Sequence, residues 1–154
     1  MMIDDEKFMR IALDEAKNAF NNDEVPVGAV IVLNGEVISK AHNSKEANQN
    51  PLKHAEIVAI DEACKRRGLK VLDGATIYVT VEPCLMCAGA IYQARISRLV
   101  YGTKEEKFGA VDSKCHIYDL YKTNYEISIT TGVLEDEASS LMKKFFKAKR
   151  EKLK

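Results

Sequence analysis

The chain has 154 residues, 46% of them hydrophobic, which suffices for one well-buried core and not for two ordinary domains, so residues 1–154 are read as a single domain. No apolar run, Val25 to Leu33 included, approaches the roughly 18 residues of a membrane span, and the acidic start Met1–Lys7 does not read as a secretion signal, so a soluble cytoplasmic protein without membrane association is expected. The net charge is zero but unevenly placed: Lys143 to Lys154 holds seven basic residues and one acidic, a local +6 against −6 for the rest, which either presents a tail to a polyanion or offsets a helix dipole.

Between Asp4 and Phe20, Phe8, Ile11, Ala12, Ala16 and Ala19 recur at helical spacing and predict an amphipathic helix. Val25–Leu33 and Glu36–Ala41 flank Asn34-Gly35, the pattern of a tight hairpin. His54–Arg67 reads as a second helix stopped by Gly68. Ala75–Val81 is rich in β-branched residues and predicts a strand, and Pro83 suits the opening of a third helix, Cys84–Arg95. Leu99–Tyr101 gives a short strand. Lys104–Thr123 reads as a loop with room for one helical turn, Tyr125–Thr130 as a strand, and Glu135 to about Lys149 as a last helix burying Ala138, Leu141, Met142 and Phe145. Helices set among strands imply a three-layer α/β/α sandwich around a mixed sheet of about five strands.

Cys84 and Cys87 are three apart, so on a helix they share a face and can grip one ion as thiolates, helped by the positive end of the helix. His54 supplies a third ligand, and three protein ligands with a fourth position left to water is the pattern of a catalytic zinc site. Zinc lowers the pKa of its water to about 7, and Glu56, two residues after His54, is placed to take that proton and deliver it. A structural zinc site needs four closed ligands. The other cysteines, Cys64 and Cys115, form no second pair; Cys64 is read as a small buried hydrophobe, Cys115-His116 as incidental, and His42 is assigned no role.

His54-Ala-Glu56 followed by Pro83-Cys-Leu-Met-Cys87 resembles the signature of zinc nucleobase deaminases. The whole chain is similar to the cytidine deaminase superfamily, and more closely to bacterial tRNA adenosine deaminases, through Glu24-Val-Pro-Val-Gly-Ala-Val30, His54-Ala-Glu-Ile57, Tyr78 to Ala90, Thr131-Gly-Val-Leu134 and Phe145-Phe146 with its basic neighbours. The resemblance implies a cytidine deaminase-like fold, one Zn2+ per subunit on His54, Cys84 and Cys87, and Glu56 as the catalytic acid and base. It also implies a homodimer that converts the wobble adenosine of a tRNA anticodon to inosine, with Asn43 holding the flipped base and Val27, Ala55 and Pro83 completing the substrate site. The basic tail, Lys104 and Lys107 are expected to hold phosphates. The chain departs from its relatives at Asn50-Pro-Leu-Lys53 and at Lys114-Cys-His-Ile-Tyr118, where substrate selection is expected. The competing readings are a deaminase of free guanine, cytosine or a nucleoside on the same half-sites, and a non-catalytic zinc-stabilised RNA-binding module, which would not need Glu56.

Overall fold

The computed structural model describes residues 2–153. In chain order it forms α1 (Met2–Asn21), β1 (Gly28–Leu33), β2 (Glu36–His42), α2 (Lys45–Asn48), α3 (Ala55–Arg67), β3 (Thr76–Val81), α4 (Leu85–Gln93), β4 (Arg98–Thr103), α5 (Ile117–Leu120), β5 (Ser128–Thr131) and α6 (Glu135–Lys152). The sheet order is β2-β1-β3-β4-β5, with β1 antiparallel to both β2 and β3 and the β3–β4 and β4–β5 pairs parallel.

Both faces of the sheet are covered, which is why its central strands read as unbroken apolar runs while still alternating inward and outward. Ala29, Ile31, Ile77, Val79, Leu99 and Tyr101 face the alanines and isoleucine of α3 and α4 (Ala55, Ala59, Ala63, Ala88, Ile91). Val30, Val32, Tyr78 and Val100 face Phe8, Met9 and Ala12 of α1. Helix α6 lies against β3 and β4 beside α1, completing the expected three layers. No helix among the described residues is long and apolar enough to cross a membrane.

The hairpin turns at Asn34 and Gly35, φ 53° and 78°, the left-handed pair that the strand twist requires. Gly68 (φ 62°) ends α3 as expected. The boundaries shift where long-range contacts decide them. Strand β4 is longer than Leu99–Tyr101, because parallel pairing with β3 continues to Val81 opposite Thr103. Strand β5 starts at Ser128, not Tyr125: Tyr125 turns its ring onto Tyr92, stacked at 5.6 Å, and its hydroxyl donates to the Ile96 carbonyl at 3.0 Å. Cys84 stays extended ahead of α4, bridged to Gly109, and Arg95 lies past the helix with φ 58°. Helix α2 has no counterpart among the expected elements, and α5 is the single helical turn expected within residues 104–123.

Candidate metal centre and active site

Helices α3 and α4 start at one end of the sheet, beyond the end of β3, so their first residues meet there. His54 and Cys84 occupy the positions just before the two helices, both in extended conformation, and neither side chain caps its own helix. They turn instead toward each other and toward Cys87, one turn into α4. The Nδ1 of His54 lies 3.7 Å from Cys84 Sγ and 3.6 Å from Cys87 Sγ, and one donor atom from each residue falls within 4.8 Å of the others. A tetrahedral ion bonded at about 2.1 Å to nitrogen and about 2.3 Å to sulfur sets those atoms roughly 3.6 Å apart. The three side chains are therefore spaced to hold a metal ion.

Their protons are correspondingly weakly or unevenly held. The thiol of Cys84 is pushed down to about 4, first by the hydrogen bond from Cys87 and then by His54, against the opposing effect of burial. His54 is raised by its hydrogen bond to Cys84, with burial opposing, and the fully buried Cys87 is raised by donating to Cys84 and by desolvation. Without a cation the cluster thus favours a thiolate at Cys84, beside an imidazole whose hold on its proton that thiolate strengthens. A metal would displace those protons.

Glu56, the second residue of α3, is only 3% exposed and its carboxyl is pushed up to about 7 by burial, with the charge on Cys84 adding to the rise and hydrogen bonds from its own amide and from Cys87 working against it. A carboxyl poised near neutrality can both accept and return a proton. It opens onto a cavity of about 330 Å³ whose lining also includes His54, Cys84, Val27 and Asn43.

The Oδ1 of Asn43 accepts the backbone N–H of Ala55 at 2.8 Å, which fixes the amide orientation and commits that oxygen. Ala55 and Pro83 are buried behind the cavity and are absent from its lining; Ala55 instead orients Asn43, and the Pro83 carbonyl accepts the Ala110 amide at 3.0 Å. Lys104 lies in an adjoining groove with Lys143 and Arg150, whereas Lys107 stands 5.5 Å over the Phe108 ring. Outside the centre, His42 pairs with Glu15 at 3.1 Å, His116 with Asp112 at 3.3 Å, and Cys115 donates to the Ala110 carbonyl at 3.4 Å. Cys64 is half-buried against the core, not fully enclosed.

Several lining residues escaped the sequence reading, among them Val25, Lys45, Glu82, Glu105, Phe108 and Phe146. One of them carried a signal of sorts, Glu82, which directly precedes Pro83-Cys84; so did Glu24, outside the lining, which precedes Val25-Pro26. Both carboxylates are buried and accept backbone amides of distant segments, Glu24 those of Glu46 at 3.1 Å and Ala47 at 2.8 Å in α2.

A family model described as MafB19-like deaminase matches residues 3–150. The chain is 43% identical over 153 residues to the tRNA-specific adenosine deaminase of Bacillus subtilis (strain 168), covering 99% of this chain and 95% of that protein. It is 47% identical over 145 residues to the protein of the same name from Aquifex aeolicus (strain VF5), covering 94% and 95%. A solved structure from work on A-to-I editing by tRNA:A34 deaminases at the wobble position of transfer RNA superposes with a TM-score of 0.85 at 42% identity, covering 88% of this chain and 98% of that one. The chain belongs to the MafB19-like deaminase family and, within it, to the tRNA-specific adenosine deaminases.

Proposed function

We propose that the chain is a cytoplasmic enzyme that hydrolyses the wobble adenosine of a tRNA anticodon to inosine and ammonia, using one zinc ion per subunit held by His54, Cys84 and Cys87. The observation that carries this reading is the buried Glu56 carboxyl, raised to about 7, opening with His54 and Cys84 of the His/Cys/Cys cluster onto one small cavity. When bound, zinc supplies Lewis-acid activation of a water molecule.

Glu56 would accept a proton from the attacking water and deliver it to a ring nitrogen of adenine as the oxygen bonds to C6; it would then take the proton of the new C6 hydroxyl and pass it to the amine as the C6–N bond breaks, leaving the C6 carbonyl of inosine and ammonia. Asn43, with its oxygen held by Ala55, has its NH2 to donate to a ring nitrogen. Val27 gives the base an apolar wall. A cavity of about 330 Å³ suits one extruded base, and an anticodon loop presents bases already unstacked. The cationic groove of Lys104, Lys143 and Arg150 shares Val81, Glu105, Met142 and Phe146 with the cavity wall, which suits a polyanionic strand leading away from the base.

A homodimer through α4 is supported by the surface of that helix. This helix contains no charged residue, yet leaves Leu85 61% exposed and Gly89 and Gln93 open to solvent. An uncharged, partly bare helix of this kind suits burial against another copy. Leu85→Glu is expected to shift the particle to monomer mass in light scattering.

The decisive experiment incubates zinc-loaded protein with an adenosine-bearing anticodon stem-loop and, separately, with free guanine, cytosine and their nucleosides. Inosine in the stem-loop that disappears with Glu56→Ala supports the proposal. Xanthine or uracil from free bases, with no inosine in RNA, would replace it by the small-molecule reading. Intact function in Glu56→Ala would mean a non-catalytic RNA-binding module.

A further inference from the structure

The chemistry above makes no use of Glu82, yet its carboxylate takes five hydrogen bonds from a single loop. Its Oε1 accepts the Glu105 amide at 3.1 Å and the Ser113 hydroxyl at 2.5 Å; its Oε2 accepts the amides of Val111 at 3.1 Å, Asp112 at 2.8 Å and Ser113 at 2.9 Å. The residue is 3% exposed and its own amide donates to the Thr103 carbonyl at 2.8 Å, so the carboxylate projects from the rigid β3–β4 pair into the loop. A buried carboxylate is tolerable only when bonded so completely, and in return it dictates where its donors lie.

The loop closes tightly on this group. The Gly109 amide donates to the Glu105 carbonyl at 2.7 Å, and a Cβ added to Gly109 would stand 2.4 Å from Glu82 Cδ and 2.5 Å from the Glu105 carbonyl oxygen. Between these anchors the loop carries Glu105 and Phe108 onto the wall of the cavity. Phe108 is 62% exposed, so hydrophobic packing does not set its place; the polar anchors do.

We propose that Glu82 is a positioning residue, the template on which residues 105–113 fold, and that through Glu105 and Phe108 it sets the outer wall that receives the nucleotide. The role in substrate binding rests on the function proposed above. Replacing Glu82 by Gln keeps shape and volume but leaves one oxygen. The three amides of Val111, Asp112 and Ser113 claim it, and the new NH2 then faces the Glu105 N–H, donor against donor. Glu82→Gln therefore frees the 105–108 end of the loop and leaves the 111–113 end in place. Gly109→Ala displaces the same end by contact, without altering any charge.

The test uses both variants of the zinc-loaded protein and measures metal per chain, trypsin cleavage after Lys107 and after Lys114, and KM and kcat for the anticodon stem-loop. In Glu82→Gln, cleavage after Lys107 is expected to quicken by about tenfold or more, that after Lys114 to stay within about twofold, and metal content to hold. In both variants KM rises about tenfold while kcat stays within about threefold. Unchanged cleavage and KM in both variants overturns the proposal, as does loss of metal in step with kcat, which would assign Glu82 to the metal centre. If Glu82→Gln does not fold, Gly109→Ala decides the matter by the same two readouts. If the unaltered protein makes no inosine, the proposed function fails, and the cleavage pattern alone decides whether Glu82 holds the loop.

Discussion

Asn43 and Ala55 are joined by one hydrogen bond, side-chain oxygen to backbone amide at 2.8 Å, that serves two purposes. It satisfies a free N–H at the start of α3, and it leaves the Asn43 NH2 as the group the substrate can meet. The two purposes separate by mutation. Asn43→Asp keeps the acceptor and adds a charge that the helix N-terminus favours, so the melting temperature should stay within a few degrees. The donor is gone, and kcat/KM for the stem-loop should fall by about tenfold to a hundredfold, as for a lost hydrogen bond of roughly 1–3 kcal/mol. Asn43→Ala should lose activity and also about 0.5–2 kcal/mol of stability, as for a deleted helix cap. Parent activity in Asn43→Asp would show that the NH2 does not contact the base.

Glu56 offers the opposite exchange. Its folded-state carboxyl is pushed from 4.5 up to about 7 by burial, so folding favours the protonated form. The sign follows: in chelator-treated protein the carboxyl costs nothing below about pH 4.5 and destabilises progressively as the pH rises toward 7. Glu56→Gln removes that cost, and calorimetry at pH 8 should find the metal-free variant melting above the parent, with the difference shrinking as the pH falls to 4.5. Deamination should drop by about 10²–10⁴-fold with metal content unchanged.

The His/Cys/Cys cluster that could hold a metal was readable because its parts are local. Cys84 and Cys87 lie one helical turn apart, and His54-Ala-Glu56 sits at a helix start that Gly68 and the intervening periodicity already delimit. The hairpin was readable for the same reason, since Asn34 and Gly35 carry their own conformational preference. What stayed hidden depends on partners far away in the chain. Nothing near Glu82 in sequence announces amides at 105–113, and nothing near Glu24 announces those of Glu46 and Ala47. Tyr125 follows strand propensity on paper, but its ring finds Tyr92 some thirty positions back and leaves the strand. Ala55 and Pro83 flank true lining residues, and adjacency along the chain says little about which side of a wall a side chain occupies.

Cys84 should betray its depressed thiol chemically. With the thiol pushed down to about 4 by Cys87 and His54, metal-free protein at pH 6 holds it as thiolate, while the other cysteines include Cys64 and Cys87, both raised, the first by burial and the second by its bond to Cys84. Iodoacetamide at pH 6 followed by peptide mapping should modify Cys84 ahead of Cys64 and Cys87, and saturating zinc should block it. Serine at either Cys84 or Cys87, or alanine at His54, should lower bound zinc from one per chain to well below it. Uniform labelling, indifferent to zinc, would mean that these sulfurs do not share an ion.

The far end of the sheet carries a different electrostatic device. Asp5, on the first turns of α1, receives two bonds from Arg98 of β4, at 2.8 and 2.7 Å, and the Tyr78 hydroxyl at 2.9 Å. Arg98 also donates to Thr130 of β5 at 2.9 Å, so one guanidinium ties α1 to two strands. The Arg98 hydrogen bond holds the Asp5 carboxyl below its ordinary 3.8, against the burial that would raise it. A carboxyl depressed on folding contributes stability that is complete above its unfolded value and is lost as the pH falls through its lower folded value. Asp5→Asn leaves Arg98 half-buried without its counter-charge, and a loss of about 1–3 kcal/mol at pH 7 is expected in urea unfolding. That difference should shrink as the pH drops below about 3.8, where the unfolded parent takes up the proton first, and fade once the folded carboxyl is protonated too. A penalty for Asp5→Asn that stays constant from pH 7 down to 2 would mean that the interaction is shape and packing, with no part for the ion pair.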